Sequence, residues 1–175
     1  MYRVQGIGRA DSLSAVHVLL ATDADWVIDE VTAALGGPET SFTVCREGRL
    51  VSDLVEHGNI DVVITDLQIG SMGGMAVAMA LRLDASGGSV PEVPIVMLLD
   101  RAADVYLAQR SGAESWLIKP LDALRLRRAV SAAVTGGSYT EGVPLEEAPS
   151  DEASLDTSSS ESVEESAEPE TVDVG

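Results

Sequence analysis

Residues 111–120 read Ser-Gly-Ala-Glu-Ser-Trp-Leu-Ile-Lys-Pro, and this stretch introduces the pattern that decides the fold. The apolar run Trp116–Ile118 is typical of a buried strand, and Lys119 stands at its end. Lys119 is the only lysine of a chain that has ten arginines. A compact ammonium at a strand end favours a phosphate or an aspartyl phosphate as its ligand, whereas a solvated lysine is the alternative interpretation.

Five short apolar runs predict strands that are buried on both faces of a parallel sheet. They are Val16–Ala21, Phe42–Cys45, Val62–Thr65, Ile95–Leu99 and Trp116–Ile118. Segments with helical spacing follow each run, and Met75, Met79, Leu81 and Leu83 mark the third of these predicted helices. This alternation predicts an α/β fold of the (βα)₅ type, with a doubly wound, five-stranded parallel sheet.

Charged residues follow three of the predicted strands. Asp23 comes after the first strand, Asp66 after the third and Lys119 after the fifth. Because ligands of such sheets bind beyond the carboxyl ends of the strands, we expect these side chains to share one crevice. Two neighbouring carboxylates repel each other unless a cation lies between them, and Mg²⁺ is the expected ion. Asp25 is instead predicted to cap the first helix.

Charge is distributed unevenly along the chain of 175 residues, whose net charge is −18. From Gly136 onward there are twelve acidic residues and no lysine or arginine. We therefore predict an N-terminal extension over residues 1–14, one folded domain over 15–135 and a disordered acidic tail over 136–175. The overall negative field argues against direct binding of nucleic acid.

Membrane insertion and disulfide chemistry are not indicated. Apolar stretches are all shorter than the roughly 20 residues that a membrane helix needs, and the first residues lack the apolar core of a secretory signal. Cys45 is the only cysteine, so it is predicted to be a small buried side chain. These features favour a cytoplasmic location without membrane contact.

Three motifs resemble the receiver domains of response regulators in two-component signalling. Residues 18–23 (VLLATD) resemble the first strand and acidic turn of that family, 62–74 (VVITDLQIGSMGG) its phosphoacceptor segment, and 111–120 its fifth-strand signature. The resemblance extends from about Val16 to Val134. It implies the flavodoxin-like receiver fold with strand order 2-1-3-4-5.

The resemblance also implies roles for individual residues. Asp66 would be the nucleophile that accepts a phosphoryl group from a histidine kinase or a phosphotransfer protein. Mg²⁺ would be held by Asp23, Asp66 and the backbone carbonyl of Gln68. Lys119 would contact the phosphoryl group, and the peptide bond before Pro120 would be cis.

The sequence departs from the family pattern at several of these positions. Thr22 stands where receivers commonly carry a second acid, so weaker binding of Mg²⁺ is expected. Leu99, followed by Asp100, replaces the hydroxyl residue that normally bonds the phosphoryl group. Leu99 and Trp116 are the two switch positions of the family, and packing of the indole against leucine is as well supported as switching. Gly70 replaces a common proline, which predicts a more mobile loop.

A partner surface is predicted on the last helix, where Arg125 and Arg128 share a face. The resemblance implies a downstream protein partner or a homodimer there, although a solvated helix face is the alternative. We hypothesise that the acidic segment Glu141–Asp173 shields these arginines and competes with partners.

The sequence as a whole predicts a stand-alone receiver that is phosphorylated on Asp66 and signals through protein contacts, rather than a metabolic enzyme. No second folded domain with a DNA-binding output is expected after Val134. A pseudo-receiver scaffold without productive switching is the alternative, favoured by Thr22 and Leu99. A flavodoxin-like redox carrier or small hydrolase is a third option, but no cofactor loop or catalytic triad is recognisable.

Overall fold

The computed structural model of the chain describes residues 15–142. The predictions for 1–14 and for most of the acidic tail, 143–175, lie outside the described residues. Within 15–142, none of the helices combines the length and the apolar character that crossing a bilayer requires.

Five parallel strands form one sheet in the order β2-β1-β3-β4-β5, which confirms the predicted order. The strands are β1 (Val16–Ala21), β2 (Thr40–Cys45), β3 (Val62–Asp66), β4 (Ile95–Leu99) and β5 (Ser115–Ile118). The helices are α1 (Asp25–Leu35), α2 (Val51–His57), α3 (Gly74–Ser86), α4 (Val105–Ser111) and α5 (Ala123–Val134), with single 3₁₀ turns at Gly48–Leu50 and Ala102–Asp104.

The helices cover both faces of the sheet. Buried residues of α1 and α5 pack with Val18, Ile64 and Leu98 on one face. Those of α2, α3 and α4 pack with Leu19, Met97 and neighbouring residues on the other. All residues of β3 and β4 are buried, which explains why their sequences are continuous apolar runs up to the strand end.

The second strand differs from its prediction. We expected it to be buried on both faces, but only Cys45 is fully buried along β2. The strand lies at one edge of the sheet and therefore has a neighbour on one side only. Thr40 and Ser41, which the apolar pattern did not include, extend it at its amino end.

The predicted third helix is present as α3, but only part of its apolar surface is buried. Gly74, Val77, Ala78 and Leu81 are buried, whereas Met79 is half-exposed and Leu83 is 72% exposed. Nine of the first ten residues of this helix are apolar. Apolar residues therefore lie on more than one side of the helix, and periodicity cannot decide which side is buried.

Asp25 does not cap the first helix. Ala24 occupies the N-cap position and Asp25 is the first helical residue, with no side-chain cap hydrogen bond. The carboxylate of Asp25 pairs instead with the guanidinium of Arg46, which follows β2.

Residues 139–142, which we assigned to the acidic tail, pack against β5 in the structure. One parallel bridge joins Trp116 and Thr140. An extended segment with few apolar residues can pair its backbone with a strand edge, which composition alone does not reveal.

Truncation of a core leucine should show how strongly the stability of the fold depends on this packing. We expect Leu98→Ala to lower the free energy of unfolding by about 2–5 kcal/mol, because Leu98 is fully buried between the sheet and the α1–α5 layer. Leu83→Ala is the matched control and should cost less than about 0.5 kcal/mol at its exposed position. Urea unfolding followed by circular dichroism measures both; similar losses would contradict this assignment of the core.

Candidate functional site

The carboxyl ends of the parallel strands bring the predicted site residues to one edge of the sheet. Asp66 is the last residue of β3, Thr22 and Asp23 follow β1, and Lys119 follows β5. Asp100 follows β4, which lies between β3 and β5. Neighbouring strands are about 4.8 Å apart, so β3 and β5 are separated by roughly 10 Å. A long side chain is needed to connect their ends.

Lys119 makes this connection to Asp66. Its ammonium Nζ lies 2.8 Å from Oδ1 and 2.9 Å from Oδ2 of the Asp66 carboxylate. The two side chains are only 10% and 4% exposed. Such a pair satisfies two charges that would each be costly to leave alone away from water. The structure therefore brings the predicted phosphoacceptor and the predicted phosphate-binding lysine into direct contact.

Two further donors complete the surroundings of Asp66. The hydroxyl of Thr22 donates to Oδ2 over 3.2 Å, and the backbone N–H of Gln68 donates to Oδ1 over 3.1 Å. The same Thr22 oxygen accepts a hydrogen bond from the N–H of Ala24. Thr22 therefore stabilises the carboxylate of Asp66, where a second acid would repel it.

Asp100 is a functional residue that the sequence did not assign to the pocket. Its Oδ1 accepts a hydrogen bond from Lys119 Nζ over 3.0 Å, and its side chain is 38% exposed. This contact follows from topology, because the lysine passes the end of β4 on its way to β3. In the same turn, the pKa of Arg101 is raised above its ordinary value, chiefly by a hydrogen bond to Asp104 and to a lesser extent by the charge of Asp100.

Trp26, the second residue of α1, also lies near the ammonium. Its ring centroid lies 5.3 Å from Lys119 Nζ, which is within the range of a cation–π interaction. The side chain of Trp26 is about half-exposed. The indole therefore borders the pocket and provides an intrinsic fluorescent probe of it.

Asp23 is held against the loop that follows Asp66. Its Oδ2 accepts a hydrogen bond from the N–H of Gly70 over 3.1 Å, and a guanidinium N–H of Arg46 donates to its backbone carbonyl. A proline at position 70 would have no N–H to donate. The glycine that replaces the common proline thus provides a hydrogen-bond partner for Asp23, a predicted metal ligand.

The predicted ligands form an oxygen-only set. Among residues 15–142, the structure contains no group of three or more His, Cys, Asp or Glu side chains that could hold a metal. The predicted metal ligands are two carboxylates, those of Asp23 and Asp66, and the backbone carbonyl of Gln68. Oxygen donors of this kind suit a hard cation such as Mg²⁺ and do not suit zinc or copper.

The two predicted switch positions lie in one hydrophobic cluster on the α2–α3–α4 side of the sheet. Leu99 is fully buried and has no hydrogen-bonding group, while Trp116 is nearly buried. The indole N–H of Trp116 donates to the backbone carbonyl of Glu141 over 2.9 Å. The shared cluster favours packing of Leu99 and Trp116 over switching. The indole N–H of Trp116 already has a hydrogen-bond acceptor in this structure.

The two arginines of the predicted partner surface differ in their surroundings. Nη1 of Arg125 lies 2.9 Å from each of the two carboxylate oxygens of Glu141. Arg128 is exposed. The contact of Glu141 with Arg125 agrees with the hypothesis that acidic residues of the tail cover the arginines. Residues 143–173 lie outside the described part of the chain, so the rest of that hypothesis stays a prediction.

Comparison with known proteins shows the family to which this fold and pocket belong. The family model described as "Response regulator receiver domain" matches residues 18–131. The chain belongs to the receiver-domain family of response regulators. An uncharacterized response regulatory protein of Mycobacterium tuberculosis is 31% identical over 126 residues, which cover 69% of this chain and 92% of that protein. Receiver domains are signalling modules of two-component systems rather than classical enzymes.

Solved receiver structures share the fold. The chemotaxis response regulator CheY4 of Vibrio cholerae superposes with a TM-score of 0.59 at 22% identity, covering 67% of this receiver and 98% of that chain. The receiver domain of the sensor histidine kinase PA1611 from Pseudomonas aeruginosa superposes with a TM-score of 0.58 at 21% identity, covering 70% and 99%. That structure has a magnesium ion coordinated in its active-site cleft. At this identity the likeness concerns the fold.

Loss of Lys119 should lower stability more than loss of its exposed partner Asp100. Lys119→Met leaves the buried Asp66 without a counter-charge, and we expect it to lower the free energy of unfolding by about 3 kcal/mol. Asp100→Asn removes a partly exposed partner while the lysine keeps Asp66, so the cost should be below about 1 kcal/mol. Urea unfolding of the two variants decides the order, and equal costs would contradict it.

Proposed function

We propose that this receiver accepts a phosphoryl group on Asp66 and transmits the signal through protein contacts. The observation that supports the proposal best is the buried Asp66 carboxylate, bonded through both oxygens to Lys119 at the carboxyl edge of the sheet. A purely structural ion pair has no need for two further donors, from Thr22 and the Gln68 backbone, converging on the same carboxylate.

The chemistry proposed for Asp66 is a single displacement at phosphorus. One carboxylate oxygen forms a bond to phosphorus, and the bond from phosphorus to the donor breaks, with its electron pair leaving on the donor's imidazole nitrogen or on acetate. Transfer of this kind requires mainly alignment and neutralisation of charge on the phosphoryl oxygens. Lys119 provides one positive charge, and its second anchor, Asp100, keeps the ammonium in the pocket when an Asp66 oxygen is used for the new bond.

The oxygen-only donor set fits Mg²⁺, which we propose as the cofactor. Asp23, Asp66 and the backbone carbonyl of Gln68 would hold it, as the PA1611 receiver holds magnesium in its cleft. When bound, the ion neutralises negative charge on the phosphoryl group. Thr22 contributes a hydroxyl in place of a second carboxylate after β1, so the site has one negative charge fewer and should bind the ion more weakly.

The proposed partners follow from this role. A histidine kinase or a phosphotransfer protein supplies the phosphoryl group, and a downstream protein reads the modified receiver in the cytoplasm. We propose that it acts as a stand-alone receiver, with homodimerisation as a further option at the Arg125–Arg128 surface.

A pseudo-receiver scaffold is the second candidate function. The observation that favours it is Leu99, which is fully buried and cannot bond a phosphoryl oxygen. Without that bond, phosphorylation of Asp66 has one contact fewer with which to distinguish two conformations. In this alternative the protein binds its partner in the same way with or without a phosphodonor.

Phosphorylation of Asp66 is the first step of the proposed function and can be tested directly. After incubation with Mg²⁺ and acetyl phosphate, we expect intact-mass spectrometry to show the gain of one phosphoryl group in the wild type and none in Asp66→Asn. Asp53→Asn, which changes an exposed acid of α2, is the matched control and should be modified like the wild type. No mass gain at saturating donor would support the scaffold instead.

The identity of residue 22 should set the affinity for Mg²⁺. We expect Thr22→Asp to bind the ion about tenfold more tightly than Thr22→Asn, since the two side chains differ in charge and hardly in size. Titration with MgCl₂, followed by the fluorescence of Trp26 beside the pocket, measures both affinities. Equal affinities would show that position 22 does not face the ion.

A further inference from the structure

Tyr139–Gly142, which we call the strap, lies along the outer edge of β5. This strand is the last of the sheet, so one side of it would otherwise be open. The backbone N–H of Trp116 donates to the carbonyl of Tyr139 over 2.9 Å, and Trp116 forms a parallel bridge with Thr140. The strap therefore pairs with the open edge of β5 through one isolated parallel bridge.

Glu141 provides the strongest contacts of the strap. One of its carboxylate oxygens accepts a hydrogen bond from the backbone N–H of Ile118 over 2.9 Å, and both accept from Arg125. Its side chain is only 15% exposed. In a regular sheet the N–H of Ile118 would bind a backbone carbonyl of the next strand. Here a side-chain carboxylate takes the place of that carbonyl and is fixed by an arginine of α5.

The end of the strap lies close against the α4 side of β5. Gly142 has a φ of +68°, a conformation that favours glycine. A β-carbon at this position would lie 2.8 Å from Cδ1 of Ile118 and 3.3 Å from Cγ2 of Val105. The strap therefore covers apolar side chains as well as backbone donors.

Removal of the strap would leave a row of donors without acceptors. The row consists of the N–H groups of Trp116 and Ile118, the indole N–H of Trp116 and Nη1 of Arg125, whose Nη2 would keep its hydrogen bond to the carbonyl of Pro120. Unpaired strand edges are templates for the addition of another extended chain. A segment that fits this row has to supply backbone carbonyls and one carboxylate at the position of Glu141.

We propose that the β5 edge together with Arg125 is a docking site for an extended, carboxylate-bearing segment of a partner protein. The strap is the resident ligand of this site and keeps it closed until the partner displaces it. The strap is only four residues long and has one bridge to β5, one ion pair and the hydrogen bonds of Glu141 with Trp116 and Ile118. A partner segment that makes the same contacts can therefore compete with it. The inference adds a partner class to the proposed signalling function and does not require phosphorylation of Asp66.

Hydrogen exchange tests whether Glu141 holds the strap. In Glu141→Ala we expect the amides of Trp116 and Ile118 to exchange at least about tenfold faster than in the wild type. The amide of Lys119 is the internal control, because it donates to Leu99 of β4 and should be unchanged. Glu47→Ala, which removes an exposed ion pair with Arg49, is the matched variant. Unchanged exchange at Trp116 and Ile118 would overturn the role of Glu141.

A peptide titration tests the docking site, with neither Mg²⁺ nor a phosphodonor present. The probe is the blocked peptide Ser-Tyr-Thr-Glu-Gly, followed through the amide resonances of Ile118 and Arg125. We expect it to bind Glu141→Ala at least about tenfold more tightly than the wild type, and a peptide with Gln in place of Glu to bind more weakly. Equal affinity for both proteins, or no binding to Glu141→Ala, would overturn the proposal while leaving phosphorylation of Asp66 untouched.

Discussion

The ion pair between Lys119 and Asp66 is the interaction on which the site depends. Two nearly buried charges are tolerable only as partners, since either one alone would cost several kcal/mol. The pair requires β3 and β5 to end at the same edge with β4 between them, as in this sheet. The flexible four-carbon side chain of lysine spans that gap, and its compact ammonium reaches both oxygens of one carboxylate.

Negative charge around the Lys119–Asp66 pair is placed differently from the common pattern of receivers. Thr22 stands after β1 where receivers commonly carry an acid, and Asp100 adds an acid after β4. The hydroxyl stabilises Asp66 by donating to it, while Asp100 gives the ammonium a second anchor. The pocket thus keeps its acid and base, but negative charge has moved from the proposed metal side toward the lysine side. The phosphoacceptor chemistry and a modest affinity for Mg²⁺ are compatible in this arrangement.

Much of the fold and of the pocket was predictable from the sequence. The bounds of β1 and β4 agree with the predicted apolar runs, because central strands buried on both faces are almost entirely apolar; His17 is the one polar residue of these two strands. Asp66 and Lys119 were predictable because they follow such strands. The buried face of α3 was not, since apolar residues cover two sides of that helix. Asp25 was misassigned because the same acid can cap a helix or, as here, pair with an arginine of a distant turn.

The sequence by itself determined the order of strands and helices, the acids and the single lysine at the strand ends, and the family. Only the tertiary structure decided which groups share the pocket and its neighbourhood: Asp100 and Trp26 beside Lys119, and Glu141 on Arg125 and Ile118. Local patterns report which face of an element is apolar. They carry no information on contacts between side chains separated by long stretches of chain, because such contacts arise only when the sheet brings strand ends and edges together.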